Sequence, residues 1–210
     1  PKMMYVPASF GVSDQGILDA FIRRYAFATL VTSSSGGLIA SHIPIMLRRN
    51  EGRGSLIGHV ARANDHWREL GGSQDSLAIF HGPHAYVSPT WYATSPTVPT
   101  WNYAVVHVRG KPKVCTNPDF TRTALADLVA EYESSRDKPW RAADLAPDFF
   151  DKLVHAIVAF EMPIEKIEGK FKLGQNRSRE DRLGMLAGLE SEGTSDAGLL
   201  AKFIREHVEE

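Results

Sequence analysis

The chain has 210 residues, enough to bury a sizeable core, and its apolar, aromatic and charged fractions of 43%, 10% and 23% are ordinary for a globular protein. A formal net charge of −1 argues against a dedicated nucleic-acid binder, which usually carries a basic surface. No apolar run reaches the ~20 residues of a membrane span, and no signal-peptide pattern opens the chain. We therefore expect a cytoplasmic protein without a membrane partner.

The first third of the chain predicts one helix followed by three strands. Apolar residues recur at helical spacing from Asp14 to Tyr25 behind N-cap residue types. Strand-like runs follow from Phe27 to Thr32 and from Leu38 to Leu47, and a hairpin connection at Asn50 to Gly54 leads to a third run from Ser55 to Ala61. This spacing is typical of consecutive antiparallel strands.

The middle third adds a short helix and further strands. Asn64 or Asp65 caps a short helix before Leu70, and a strand from Ser76 to His81 is predicted to turn at Gly82-Pro83. A short run from Ala85 to Ser88 opens a proline-rich loop, which returns as an alternating strand from Tyr103 to Val108.

The last third is predicted to be mostly helical. One helix begins after Asn117-Pro118 and runs to about Arg136. A second begins at Pro147, and its predicted buried stripe consists of Phe149, Phe150, Leu153, Val154 and Ile157. A strand from Val158 to Ile167 precedes a cationic, amide-rich segment from Gly169 to Arg177 and two helices, Ser178 to Leu189 and Ser195 to Val208.

These elements predict an α+β fold with an antiparallel β-barrel core. Pro44 and Pro163 lie inside predicted strands and cannot donate to a ladder, so each marks an edge strand or a bulge, where a barrel splits open. We predict a barrel domain over residues 1–176 with inserted helices at about residues 118–157. Residues 177–210 form a predicted C-terminal helical extension.

The stretch from Phe80 to Gly110 holds two of the four tryptophans of the chain. Aromatic side chains interleaved with Ser, Thr and Asn can stack on a planar ring and donate hydrogen bonds to its edge. The same composition is also typical of a rigid loop that packs a subunit interface. Sequence composition leaves both interpretations open.

Motifs of known catalytic chemistry are absent from the sequence, and the catalytic residues stay unknown. There is no G-x-S-x-G elbow, no G-x-G-x-x-G, no P-loop and no H-E-x-x-H. The single cysteine, Cys115, excludes an intrachain disulfide, and the scattered histidines lack ligand spacing, so no metal site is predicted.

Polar groups near the predicted strand ends remain as a candidate binding site. They are Ser41, His42, His59, Arg62, Ser88, Trp101, Asn102, Lys172, Gln175 and Asn176, with Tyr103 as a second aromatic cover. Arg62 and Lys172 could neutralise a phosphate, and Trp101 or Tyr103 could cover a planar ring. For Arg62, an exposed arginine beside an ordinary capped helix is an equally good interpretation.

Seven segments of the chain, in order, resemble the PaiB-type, FMN-binding negative transcriptional regulators. They are MYVPASF (4–10), FATLVT (27–32), SHIPIML (41–47), GHVARAN (58–64), FHGPHAYVSPTWY (80–92), VPTWNY (98–103) and FKLGQNR (171–177). The family is similar to the flavin-binding split barrels of the pyridoxamine-phosphate oxidase group, which are homodimers with FMN in a shared cleft. The resemblance thus implies a split barrel, FMN and a homodimer.

The resemblance also implies roles for individual residues. Arg62, with His59 and Asn64, lies where related folds bind the FMN phosphate, and Ser41 and His42 run along the flavin. Trp101, Asn102, Lys172 and Gln175 would line the cleft. Gly174 departs from the family pattern, in which the fourth position of FKLGQN is usually Ser, and this puts one hydrogen bond in doubt.

Three functions follow as hypotheses. The first is a PaiB-type repressor of sporulation and degradative-enzyme genes, although direct DNA binding would rest on the basic stretch Lys170 to Arg182 alone. The second is an FMN-dependent oxidoreductase. The third is a haem-binding or haem-degrading protein that uses one of four histidines as its ligand. Those four candidates are His42, His59, His81 and His107.

Overall fold

The computed structural model of the protein describes residues 3–49, 52–71 and 74–208. Its helices are α1 (Gln15–Arg24), α2 (Pro118–Glu133), α3 (Pro147–His155), α4 (Arg179–Ser191) and α5 (Ser195–His207). Its strands are β1 (Gly11–Val12), β2 (Phe27–Ser34), β3 (Gly37–Arg48), β4 (Ser55–Ala61), β5 (Ser76–Val87), β6 (Thr100–Gly110), β7 (Lys113–Cys115) and β8 (Ile157–Lys172). Short 3₁₀ helices at Asp65–Glu69 and Pro89–Trp91 follow β4 and β5.

The described strands form one sheet in the order β1-β8-β4-β3-β2-β5-β6, and β6 pairs again with β8. Every pair whose register is described is antiparallel. The strand order therefore closes into a near-barrel ring, which together with the five helices confirms the predicted α+β class with an antiparallel barrel core.

The prolines Pro44 and Pro163 lie where strands change or end their pairing. Pro44 pairs with Phe27 in the last pair between β2 and β3, and the next residue, Ile45, opens the pairing of β3 with β4. Pro163 opposes Ser55 in the final pair between β4 and β8. Neither strand lies at an edge of the strand order, but each proline occupies a position at the end of one ladder, where a missing N–H costs little.

The predicted turn at Gly82-Pro83 is wrong, because β5 continues through it as one strand, Ser76–Val87. Every second residue of β5 is buried up to Gly82. Pro83 is buried too, and every second residue is again buried from there, so the pattern shifts by one residue, as it does at a β-bulge. A Cβ at position 82 would lie 2.7 Å from the Phe21 ring. Glycine there lets the aromatic ring pack against the strand.

The contacts of the chain divide it into two compact units. The first unit comprises residues 1–21, 80–107 and 168–210, and its core joins Phe203 of α5 to Phe21 and Phe171 at ring distances of 6.0 and 5.1 Å. Leu200, Phe203 and Ile204 of α5 are buried in this core, whereas Leu199 is exposed. The predicted boundary at residue 176 stays a prediction.

The second unit comprises residues 22–79 and 108–167. Its core contains fully buried side chains of β2, β3, β4 and β8, among them Leu30, Ile45, Leu56 and Phe160. A Cβ on Gly58 would lie 2.7 Å from the Phe160 ring, so this glycine permits the close packing of β4 on β8. Asn50 and Glu51 of the predicted hairpin connection lie outside the described residues.

Several predicted boundaries in the last third were wrong. Only Val154 of the predicted α3 stripe is buried, whereas Phe149 and Leu153 are 52% and 40% exposed. Ile157 begins β8, which extends to Lys172, beyond the predicted strand end at Ile167 and into the cationic segment that begins at Gly169. Periodicity identifies an apolar face, but it does not show whether another element covers that face.

No helix among the described residues is long and apolar enough to cross a membrane.

Candidate functional site

A chain of buried polar side chains lies between β2, β3 and the 3₁₀ helix Asp65–Glu69 in the second unit. His66 Nδ1 lies 2.8 Å from Ser41 Oγ, and His66 Nε2 lies 2.8 Å from Thr32 Oγ1. Asn64 Nδ2 donates to Ser41 Oγ at 3.0 Å, and the Thr32 and Ser76 hydroxyls are 2.7 Å apart. These hydrogen bonds fix Ser41 and Asn64, two of the predicted cofactor residues, in one geometry.

The direction of these hydrogen bonds favours a neutral His66. Because Ser41 accepts from Asn64, its own hydroxyl can donate to Nδ1, and Nε2–H then donates to Thr32. Protonation of Nδ1 would require the Ser41 hydroxyl to turn away and accept from the ring instead. Burial lowers the pKa of His66 from 6.5, with an opposing effect from Glu69.

His66 was missed by the sequence reasoning, which considered only histidines on predicted strands. The residue is fully buried although it lies in a short connection. Its burial depends on partners in β2 and β3 that are distant in sequence, so no local pattern identifies it.

His42 lies on the outer surface of β3, opposite Thr29 of β2. Its Nδ1 is 3.0 Å from Thr29 Oγ1, and its side chain is exposed. On the same outer surface, Phe27 and Leu38 are 68% and 79% exposed. Ser41 and His42 thus point to opposite faces of β3, as neighbouring strand residues must.

Arg62 is held by the junction of α3 and β8. Its Nε donates to the backbone oxygen of His155 at 2.7 Å, and its Nη2 donates to the oxygen of Ile157 at 3.1 Å. These two bonds orient the guanidinium and leave other donors available. His59 lies half-buried on β4, and burial lowers its pKa.

An exposed aromatic cluster lies in the first unit on β5 and β6. Trp101 is 56% exposed, and its ring centre lies 6.4 Å from that of His84 and 6.2 Å from that of Tyr86. Lys172 Nζ donates to the Trp101 backbone oxygen at 2.8 Å and also to Thr100 Oγ1. A strand-end lysine is thereby held beside an aromatic surface.

Positive charge accumulates around Lys172. Burial lowers the pKa of Lys172, and the charges of Lys170 and Arg177 lower it further. Lys170 is buried between two aromatic rings, 5.4 Å from the Tyr5 centre and 5.1 Å from the Tyr103 centre. A negatively charged ligand group near Lys172 would relieve this repulsion.

The segment after β8 forms a tight turn that its own side chains complete. Gln175 accepts from the Leu173 backbone N–H at 2.8 Å and donates to the Phe171 oxygen at 2.6 Å. Gly174 has φ of 85°, a conformation that favours glycine. Asn176 is exposed, and buried Asn102 donates to Met185 Sδ at 3.1 Å.

The loop after β5 is fastened to α4. Ser88 caps the 3₁₀ helix Pro89–Trp91 by accepting from the Thr90 N–H. Asp181 accepts from the Thr94 N–H at 2.9 Å and from the Thr94 hydroxyl at 2.7 Å, and these bonds lower the pKa of Asp181. The helix cap made by Ser88, the bond from Asn102 to Met185 and the two bonds of Gln175 give these three residues structural roles.

The predicted cofactor residues divide between the two units. The second unit holds Ser41, His42, His59, Arg62 and Asn64, and the first holds Ser88, Trp101, Asn102, Tyr103, Lys172, Gln175 and Asn176. Within each unit, the contacts Ser41–Asn64 and Lys172–Trp101 bring predicted residues together. Among the residues that the structure describes, no cluster of three or more His, Cys, Asp or Glu side chains has the geometry to hold a metal.

The ring of antiparallel strands with peripheral helices matches the fold of solved split-barrel structures. The flavin and haem-binding protein of Mycobacterium smegmatis, described as an "FAD and Heme binding protein", superposes with a TM-score of 0.61 at 17% identity, covering 88% of this chain and 80% of that one. The flavocytochrome Anf3 of Azotobacter vinelandii superposes with a TM-score of 0.58 at 16% identity, covering 77% and 69%. Both similarities confirm the split-barrel fold.

A family model described as "Putative FMN-binding domain" matches residues 4–166, so the chain belongs to this family, the PaiB family. It is 32% identical over 205 residues to the "Protease synthase and sporulation protein PAI 2" of Bacillus subtilis, covering 98% of each chain. An uncharacterized protein of Emericella nidulans is 30% identical over 246 residues, again covering 98% of each chain. The predicted family is confirmed.

Proposed function

We propose that the protein binds FMN, assembles as a homodimer and acts as a negative regulator of the PaiB type. The observation that carries the FMN assignment is the exposed cluster of His84, Tyr86 and Trp101 beside the positively charged surroundings of Lys172. Family membership and the flavin-related fold support the same assignment.

FMN combines a planar ring system with a phosphate, and the first unit offers groups for both. Trp101 and Tyr86 present aromatic surface on which a planar ring can stack. Lys172, with Arg177 nearby, suits an anionic group. When bound, FMN would supply redox chemistry through its ring system, while the protein groups bind and orient it.

A fluorescence titration with FMN tests this assignment. Trp101→Ala should weaken binding by about 1–3 kcal/mol, the range for stacking on an aromatic side chain. Lys172→Gln should weaken it by about 1.5–3 kcal/mol if Lys172 holds a charged group. Trp140→Ala is the control, because Trp140 is a similarly exposed tryptophan in the connection between α2 and α3. Wild-type affinity in the Trp101 and Lys172 variants would contradict the assignment.

The proposed homodimer is supported by the outer surface of β2 and β3. Phe27 and Leu38 are large apolar side chains that leave most of their area in water, and they occupy the same outer face of the paired strands. Such a surface is usually covered by a partner. Phe27→Lys with Leu38→Glu should convert a dimer to a monomer in light scattering, and Leu199→Glu on α5 is the exposed control. A wild-type monomer would refute the dimer.

Regulation through direct DNA binding receives little support from the basic stretch Lys170 to Arg182. Lys170 lies between aromatic rings, Lys172 binds Thr100 and Trp101, and Arg177 stacks on Tyr92 at 4.5 Å. These contacts fix the positions of three cations of the stretch. Lys172 and Arg177 are the cations that we assign to FMN, and Glu180 and Asp181 lie beside Arg179 and Arg182, so the stretch offers little further positive charge for DNA. A mobility-shift titration with upstream DNA at low and high salt tests direct binding, and a shift that weakens with salt would support it.

An oxidoreductase is the competing function, and reduction of the bound flavin separates the two. In an anaerobic mixture with NADPH or NADH, an enzyme would bleach the flavin absorption within the mixing time of the experiment. A regulator that only binds FMN would leave the absorption unchanged. Rapid bleaching would favour the enzyme.

A further inference from the structure

A groove of about 690 Å³ lies in the second unit, beside the C-terminal half of α2. Its floor consists of aliphatic side chains whose other sides are buried in the core: Ala26, Ile45, Leu47 and Ile57. The Ile45 N–H donates to the Ala26 oxygen at 2.9 Å, which holds the connection from α1 to β2 against β3. The volume of the groove lies within the range of ~300–1,000 Å³ that is typical of small-molecule sites.

The two walls of this groove carry opposite charge. Ala130 and Glu131 follow Asp127 by three and four residues, so these three share the face of α2 that lines the groove. The opposite wall is basic and consists of arginines near the ends of α1 and β3: Arg23, Arg48 and Arg49. An acidic wall therefore faces a basic wall across an aliphatic floor.

An ion pair joins the two walls at one point, where Arg48 Nη2 lies 2.8 Å from Asp127 Oδ2. Arg23 and Glu131, by contrast, are exposed, and neither forms an ion pair with a residue that the structure describes. The groove thus offers a ligand one cation and one carboxylate that do not already neutralise each other.

The groove lies at the opposite end of the β3–β4 pair from the predicted cofactor residues of the second unit. Ser41 lies in the first part of β3, and Arg62 follows the last residue of β4, so these two belong to one end of the antiparallel pair. Arg48 pairs with Ser55, the first residue of β4, at the other end. Neither Ser41 nor Arg62 lines the groove.

We propose that this groove binds a short peptide with free termini and apolar side chains. The peptide's carboxylate pairs with Arg23 and Arg49, its ammonium group pairs with Glu131, and its side chains pack on the aliphatic floor. Tyr132 also lines the groove, and its ring, 45% exposed, gives the peptide further apolar contact.

The two charges and the volume together favour a peptide over simpler ligands. A ligand with a single charge would leave one wall without a partner. A free amino acid carries both charges on one carbon and would leave most of the groove unfilled. The proposal does not depend on FMN binding, because none of the residues that we assign to FMN lines the groove.

Methyl NMR of the full chain, labelled at its isoleucine δ1 methyl groups, measures binding of the tripeptide Ala-Leu-Ala. Ile45 and Ile57 line the groove, whereas Ile39 and Ile79 lie elsewhere in the second unit and serve as internal controls. The Ile45 and Ile57 resonances should shift until saturation with a dissociation constant of about 0.1–1 mM. The Ile39 and Ile79 resonances should stay unchanged.

Blocking each terminus of the peptide tests the two walls separately. The N-acetyl peptide lacks the ammonium group and the C-terminal amide lacks the carboxylate, so each should bind about three- to ten-fold more weakly than the free peptide. In Arg23→Gln, amidation should lose most of its effect and acetylation should keep it. In Glu131→Gln, acetylation should lose its effect and amidation should keep it.

Arg24→Gln is the matched control for Arg23→Gln. Arg24 is the next residue of α1, does not line the groove, and lies 5.4 Å from the centre of the Tyr25 ring. All three substitutions are at exposed positions, where folding tolerates a change of side chain, and circular dichroism confirms that each variant is folded.

Any of four results would overturn the proposal. The first is the absence of shifts at Ile45 and Ile57 with about 10 mM peptide. The second is equal affinity for the free peptide and a peptide blocked at both termini. The third is equal affinity for free leucine, and the fourth is displacement of the peptide by FMN. A protein that fails to bind FMN can still bind the peptide, so the two proposals fail separately.

Discussion

Replacing His66 by leucine puts an apolar side chain of related size at the centre of the hydrogen-bonded group of buried polar side chains. Two hydrogen bonds are lost, to Ser41 and to Thr32, both at 2.8 Å. At about 1 kcal/mol for each bond, plus the cost of buried hydroxyls with fewer partners, the loss is about 2–4 kcal/mol. Ser41 keeps its bond to Asn64 and Thr32 keeps its contact with Ser76, which limits the cost.

The assay is urea unfolding of wild type and His66→Leu at neutral pH. The control is His84→Leu, because His84 is exposed and should change the free energy of unfolding by less than about 0.5 kcal/mol. A change below that value for His66→Leu would refute the hydrogen-bond argument.

The same variant makes a pH prediction. The folded pKa of His66 lies below 6.5 because the site is buried, so the unfolded chain binds more protons as pH falls. Stability from neutral His66 is complete above about pH 6.5 and is lost as pH falls towards the lowered folded pKa. His59 and His107 have pKa values lowered by burial too, so His66→Leu should reduce the loss of stability on acidification without removing it. If the stability of His66→Leu depended on pH as the stability of wild type does, this would contradict the argument that the His66 ring is neutral in the folded protein.

Two further predictions concern α4. Gly188→Ala should destabilise the protein by about 1–3 kcal/mol, because its Cβ would lie 2.2 Å from the Trp91 ring. Gly198→Ala in α5 should stabilise the protein by up to about 1 kcal/mol, because no atom lies within 4 Å of the added Cβ. Thermal unfolding of the two variants measures the difference, and equal effects would contradict the packing argument. Asp181→Asn should speed hydrogen exchange at the Thr94 amide, because a neutral oxygen accepts more weakly; unchanged protection of that amide would refute the fastening role.

Much of the fold was predictable because its strands and helices have regular burial patterns. β4 and the starts of α2 and α3 match the predicted elements, since alternation and prolines after Asn117 and Ala146 are local signals. The continuation of β5 through Gly82-Pro83 was not predictable, because the reason for glycine there is the ring of Phe21, far away in sequence. A sequence pattern typical of a turn does not form a turn where tertiary packing favours a bulge.

The candidate site shows the same division. The sequence identifies Lys172 and Trp101 as residue types suited to an anion and a planar ring, but their direct contact depends on β6 and β8. The sequence suggests Arg62 as a phosphate ligand, and only the structure shows that two backbone oxygens orient its guanidinium. Residue chemistry is readable in a sequence, whereas the partners of a side chain are not.

By itself, the sequence determined the PaiB family, the α+β barrel and most element positions, because these depend on short patterns along the chain. The tertiary structure alone decided which polar groups meet. The hydrogen bonds of the His66 chain join residues separated by 23, 25, 34 and 44 positions. Such contacts form only when the strands close into their ring, since no local propensity encodes a partner that distant.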